Sequence, residues 1–140
     1  MNNETFITLH RHWMWANVMK QHFDRELEKG VKLPFNIADR PGAYMLLWYS
    51  VLFSVLETFR NAGVTFPTVQ KEIDEIYEPL KDLRNAIFHP QPKYWPRKLL
   101  RFISMKDTPI KVREIHSFIG GYFLQEIARR KASGGASWVK

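Results

Sequence analysis

The sequence predicts an all-α fold, a bundle of four main helices in one domain. Three observations predict it. Apolar residues recur at helical spacing over long stretches of the chain. The segments between those stretches are short and marked by glycine and proline. Apolar residues make up 45% and aromatics 14% of the 140 residues, so the chain can fill a core and lies away from disordered composition. Neither an internal repeat nor a strand pattern competes with this reading.

The first helix is expected from about Glu4 to Lys29, with an inward stripe of Phe6, Leu9, Trp13, Val18, Phe23 and Leu27, and Ala16 and Met19 nearby. Gly30 is its stop. Pro34 breaks the pattern in 31–40, and Pro41 suits the first turn of the second helix, where a missing N–H is harmless. That helix runs to about Asn61 and stops near Gly63. It is apolar nearly all round, which implies burial on several sides or contact with a second subunit.

A third helix is expected from Pro67, with Glu72, Asp74 and Glu75 in early turns where the helix dipole favours anions. Ile73, Ile76, Tyr77, Leu80, Leu83 and Ile87 form its inward face. Pro79 should kink or split it, and Pro90 disfavours helical geometry at His89. A proline-stiffened loop follows, then a short extra helix over 97–105. Thr108 and Pro109 read as cap and first turn of the last long helix, which runs to about Lys131. Gly120 and Gly121 weaken that helix and are expected to permit close packing. The domain then covers 1–133, with a flexible tail at 134–140.

The net charge of +7 is concentrated. From Arg97 to Lys140 there are ten Lys/Arg against Asp107, Glu114 and Glu126, so this third carries the whole excess. Such a region attracts polyanions, nucleic acid first among them, or serves as a solvated surface. The chain has no cysteine, which excludes disulfides and thiolate-held metals and fits a reducing, cytoplasmic setting. The polar start, Met1 to Thr5, carries no signal-peptide pattern. The apolar run from Ala43 to Leu56 is shorter than the roughly 18 to 20 residues that span a bilayer, so a buried core helix is expected and no membrane partner.

The chemistry-bearing stretch is Arg84-Asn85-Ala86-Ile87-Phe88-His89, with Pro90 next. Arginine holds phosphate with a planar fork of donors, and histidine exchanges protons near neutral pH. On a helix Asn85 and His89 share a face, and Arg84 reaches the same place. These groups suit metal-independent cleavage of RNA. A ribose 2′-OH attacks the adjacent phosphate, a base takes the 2′ proton, an acid protonates the leaving 5′ oxygen, and a cation steadies the phosphorane. The products are a 2′,3′-cyclic phosphate and a 5′-OH. One histidine serves both ends of that displacement poorly, whereas two facing copies in a symmetric dimer supply both. A plain structural reading also stands: Arg84 pairs with Asp82, Glu78 or another carboxylate, and His89 caps the helix.

The stretch LRNAIFHP in the second half of a small all-α chain resembles the HEPN superfamily, whose signature is an arginine, usually a polar residue after it, and a histidine a few positions on. Arg84, Asn85 and His89 match it. The resemblance implies a helical bundle, metal-independent endoribonuclease activity, a motif at a dimer interface that forms one composite cleft, and a role in toxin–antitoxin, antiphage or other RNA-targeting systems, with an antitoxin or regulatory protein as a further partner. Two other readings share the shape: a non-catalytic module that binds RNA or nucleotide, and a dimerisation or docking domain.

Around the motif, Glu57 is placed either to hold Arg84 or to pair with Arg60 or Asn61 at the helix end. Lys93, Tyr94, Trp95, Arg97, Lys98 and Arg101 follow the motif without an acid, a composition suited to an RNA strand, with the rings stacking on bases or folding back onto the bundle. His10 and His12, two apart on a helix, point in nearly opposite directions and do not chelate together. His22 and His116 read as structural or surface histidines. No HExxH, Gly-rich phosphate loop or GxSxG elbow is present, so neither metal nor cofactor is expected.

Overall fold

The computed structural model describes residues 1–30, 39–90, 92, 101–102 and 104–134. They form an all-α bundle of four helices: α1 (Asn3–Glu28), α2 (Arg40–Asn61), α3 (Gln70–Phe88) and α4 (Thr108–Gly134). Among the described residues there is no strand.

Helix α1 starts where the Asn2 side chain accepts from the Thr5 N–H at 2.8 Å, an ordinary N-cap. It stops at Gly30, whose φ of 84° is open to glycine without strain. Its buried line is Phe6, Leu9, Ala16 and Phe23, with Trp13 half-buried between them. Val18, expected inside, is exposed. The inner line passes through Ala16 and on to Phe23, and position 18 lies on the far side of that arc.

Helix α2 begins with Pro41 in its first turn and is followed by Gly63 at φ 70°. It is the central element, buried at eleven positions that include Trp48, Phe53 and Phe59. The helix is longer than its apolar run and is long and apolar enough to cross a membrane, but more than half of its most apolar window is buried inside the bundle. A core helix of a bundle has this character.

Helix α3 departs from expectation at two points. It begins at Gln70 rather than Pro67, because the chain first turns at 66–69. The Val69 N–H donates to the Phe66 carbonyl at 2.9 Å, and the Gln70 side chain accepts from the Phe66 N–H at 3.0 Å. Phe66 and Val69 are both buried, which fixes that turn. Pro79 neither splits the helix nor ends it: α3 is continuous through it. Ile76, Tyr77, Leu80 and Leu83, buried on either side of Pro79, hold both halves against α2.

Helix α4 runs three residues beyond Lys131, to Gly134. Gly120 does allow close packing: a Cβ there would lie 2.5 Å from Trp13 Cζ2. Gly121 faces open space. Of the expected short helix at 97–105, Arg101 and Phe102 are helical, and 97–100 and 103 lie outside the described residues. The expected tail also lies outside them beyond Gly134. The helices are tied by Asp24 to Arg113 (2.6 Å) between α1 and α4, and by Glu75 to Lys111 (2.6 Å) between α3 and α4.

Candidate functional site

The C-terminal part of α3 carries the site. Leu80 and Leu83 point into the core, which puts Arg84 on the flank of α3 that meets α2. Its guanidinium is held on three sides. Nη1 donates to Glu57 Oε2 at 2.9 Å, Nε donates to Asn85 Oδ1 at 3.3 Å, and Cζ lies 4.7 Å from the Phe53 ring centre. The side chain is 24% exposed, so it reaches solvent while anchored. Among the described residues, Nε and one N–H of Nη1 are engaged, so other donors of the five face away from these partners.

Glu57 comes from the end of the apolar run of α2. Of the partners open to it from the sequence, the geometry selects Arg84; Arg60 instead lies 4.2 Å over the Tyr77 ring. Arg84 likewise pairs with Glu57 rather than with Asp82 or Glu78.

His89 sits one turn beyond Asn85. Its backbone N–H still donates to the Asn85 carbonyl at 2.9 Å, but its own backbone is extended (φ −119°, ψ 104°) and its side chain is exposed. The helix therefore ends at Phe88, so the shared helical face expected for Asn85 and His89 does not carry over unaltered. Pro90 is the cause, since it disfavours helical geometry in its predecessor.

Among the expected RNA contacts, Arg101 is exposed and helical, while Lys93, Tyr94, Trp95, Arg97 and Lys98 lie outside the described residues. The basic last third is less open than its charge suggests. Lys111 and Arg113 pair with Glu75 and Asp24, and Arg129 and Arg130 both pair with Glu126. The Arg129 hydrogen bond and that of Arg130 hold the Glu126 carboxyl down at about 2, against the cost of its partial desolvation.

His10 and His12 diverge. His10 packs on Phe123 of α4 with ring centres 5.2 Å apart, and burial lowers its pKa. The His12 ring bonds the Thr8 carbonyl at 2.8 Å. His22 stacks on Tyr44 at 5.0 Å. Among the described residues no three His, Asp or Glu side chains converge as a metal-ligand set.

His116 carries no motif, yet it is the most connected histidine among the described side-chain bonds. This residue is 2% exposed at the junction of α1, α2 and α4. Trp48 Nε1 donates to its Nδ1 at 3.1 Å, its Nε2 lies 3.0 Å from Asn17 Oδ1, and its ring stacks on Trp13 at 5.0 Å. Burial, then the nearby Lys20, drive its pKa down to about 4, so the ring is neutral at pH 7. The available signal was its place in the buried α4 stripe of Val112, Ile115, Ile119 and Phe123.

With this geometry in hand, comparison with known proteins adds nothing further: no family model, no curated protein and no solved structure matches the chain.

Proposed function

We propose that the protein is a metal-independent endoribonuclease of the HEPN type, acting in the cytoplasm as a homodimer. Arg84 binds the scissile phosphate and stabilises the charge that builds on it. His89 transfers the proton: one copy takes it from the 2′-OH, and the copy on the partner subunit delivers it to the leaving 5′ oxygen. Asn85 orients Arg84, and Glu57 holds the guanidinium at the mouth of the site. The products are a 2′,3′-cyclic phosphate and a 5′-OH. The biological setting is a toxin–antitoxin or antiphage system, with a neutralising protein as a further partner.

One observation carries this reading: the linked set Glu57–Arg84–Asn85, with a partly exposed guanidinium five residues before an exposed histidine. A carboxylate and an aromatic face that brace an arginine without enclosing it suit a group held ready for phosphate. Single-stranded RNA incubated with the protein in EDTA tests it. Wild type cleaves; Arg84→Ala and His89→Ala do not, while their circular dichroism and mass in solution stay those of the wild type. Uncut RNA with the wild-type protein refutes the enzyme reading.

A second reading, a non-catalytic dimerisation or RNA-binding module, is favoured by the exposed apolar residues. Trp15, Val18, Leu47 and Phe88 are each more than a third exposed. His22 against Tyr44, Arg60 against Tyr77 and Arg84 against Phe53 set antiparallel registers that bring these four residues to neighbouring levels of the bundle. A second copy covering them is common to both readings; loss of the dimer on Leu47→Glu without any RNA cleavage in wild type selects the module.

A further inference from the structure

A groove of about 240 Å³ lies between α1 and α2, lined by Glu4, Thr5, Thr8, His12, Ser54 and Thr58. On its α2 wall and at Glu4 it presents acceptors. The Ser54 hydroxyl donates to the Ser50 carbonyl at 3.3 Å and the Thr58 hydroxyl to the Ser54 carbonyl at 2.9 Å. Each thus commits its one proton to the helix backbone and keeps its oxygen as an acceptor. His12 Nδ1 lies 2.8 Å from the Thr8 carbonyl. A carbonyl only accepts, so the ring nitrogen Nδ1 is the donor of that bond. The Glu4 carboxylate adds two more acceptor oxygens.

Next to His12 along α1, Trp15 is 51% exposed. Its ring is 5.0 Å from that of His12 and lies beneath the Arg11 guanidinium at 5.2 Å. An exposed indole braced this way is a stacking platform with a cation beside it. A groove that offers the Ser54, Thr58 and Glu4 oxygens as acceptors beside such a platform fits a flat ring that carries an amino group. It disfavours a ring that presents a carbonyl in the same place.

We propose that the α1–α2 groove is a nucleobase subsite for an RNA strand, taking a base with an exocyclic amino group while the neighbouring base stacks on Trp15. The proposal rests on the ribonuclease reading and adds to it a preference in the bound strand. Ser54 and Thr58 flank Glu57 along α2, so a strand crossing that helix meets both the groove and Arg84. Cytosine and uracil make the sharpest comparison, because the amino donor of one stands where the other has a carbonyl acceptor.

The test is fluorescence anisotropy of labelled 2′-O-methyl oligocytidine and oligouridine, which lack the attacking hydroxyl and stay intact. Wild type is expected to bind oligocytidine at least about fivefold more tightly. Glu4→Gln and Thr58→Val, made separately, each shrink that ratio. Trp15→Ala weakens both oligomers by about fivefold or more and leaves the ratio in place. Circular dichroism of each variant checks the fold, and the two groove variants sit on different helices, so one misfolded protein does not remove the test. Equal affinity for the two oligomers, a ratio that survives both groove variants, or no binding of either oligomer overturns the proposal. So does uptake of an arginine-rich peptide in place of RNA, which would make the groove a site for a cationic protein. The ribonuclease reading fails separately, by absence of cleavage of unmodified RNA.

Discussion

The Trp48 indole N–H points at Nδ1 of His116 from 3.1 Å, a donor aimed at a ring nitrogen that must stay unprotonated to receive it. Protonating His116 sets two donors head to head in a buried place, with Lys20 and Arg113 adding like charge and Asp24 only partly offsetting them. The folded-state pKa, about 4, lies below the ordinary histidine value of 6.5. The unfolded chain therefore binds the proton more readily. The stability that the neutral ring confers is whole above pH 6.5 and is lost as the pH falls from 6.5 towards 4. The full loss is about 3 kcal/mol. Urea unfolding at about pH 7.5 and about pH 4.5 should differ by most of that. His10, lowered by burial, adds in the same sense. His116→Gln should therefore flatten most of the dependence, though it starts from a less stable protein. An unchanged pH slope in that variant would contradict the assignment.

Gly120 and Gly121 are neighbours with opposite expected responses to alanine. At Gly120 an added Cβ would meet Trp13 Cζ2 at 2.5 Å and Cη2 at 3.0 Å. Trp13 has little room to yield, since its Nε1 donates to the His116 carbonyl at 3.2 Å and its ring stacks on the His116 imidazole. Gly120→Ala should destabilise by about 1–3 kcal/mol despite the better helix propensity of alanine. At Gly121 a Cβ meets nothing within 4 Å, so Gly121→Ala should stabilise by about 0.5–1 kcal/mol. Thermal unfolding of the two single variants checks both signs at once.

Much of the fold was legible because its punctuation is local. Gly30, Pro41 and Gly63 mark helix ends through φ alone, and Ile73 to Leu83 mark an inward face through spacing alone. What escaped reading depended on contacts between distant segments. Pro79 breaks a helix in isolation, yet buried neighbours on both sides keep α3 continuous. Val18 fits a helical stripe as well as Ala16 does until the packing of α2 on α1 decides which arc is covered. Glu57 had two sets of partners in the sequence, and only the antiparallel register of α2 and α3 separates them. His116 carries no motif, and its network needs Asn17 and Trp48 from two other helices.

The Glu57–Arg84 pair is partly exposed, at 32% and 24%. A double-mutant cycle with Glu57→Gln and Arg84→Gln should give a coupling of about 0.5–1 kcal/mol in urea unfolding, typical of such pairs. Its effect on RNA cleavage should be larger than its effect on stability. Arg84→Ala should lower the rate by about a hundredfold or more, as loss of a charge-stabilising donor does. Glu57→Gln, which keeps an acceptor but removes the charge, should lower it less. Variants that unfold more easily in proportion to their lost activity would reduce Glu57 and Arg84 to a structural pair.

Pro79 lies at the middle of α3, and a proline inside a helix supplies no N–H and crowds the carbonyl four residues back. Proline in a helix interior costs up to about 3 kcal/mol relative to alanine. Part of that is offset because proline restricts the unfolded chain, by about 0.4–1 kcal/mol. Pro79→Ala should therefore raise stability by about 1–2 kcal/mol, the difference of the two effects after partial relaxation of the helix. The same change bears on the site. Arg84 lies five residues beyond, and its reach to Glu57 depends on the direction in which the second half of α3 leaves the proline. Pro79→Ala is expected to unfold at a higher temperature and to cleave RNA more slowly, because the proline shapes the half of α3 that carries Arg84 to Glu57. Gain in both stability and cleavage would show that Pro79 has no part in placing the guanidinium.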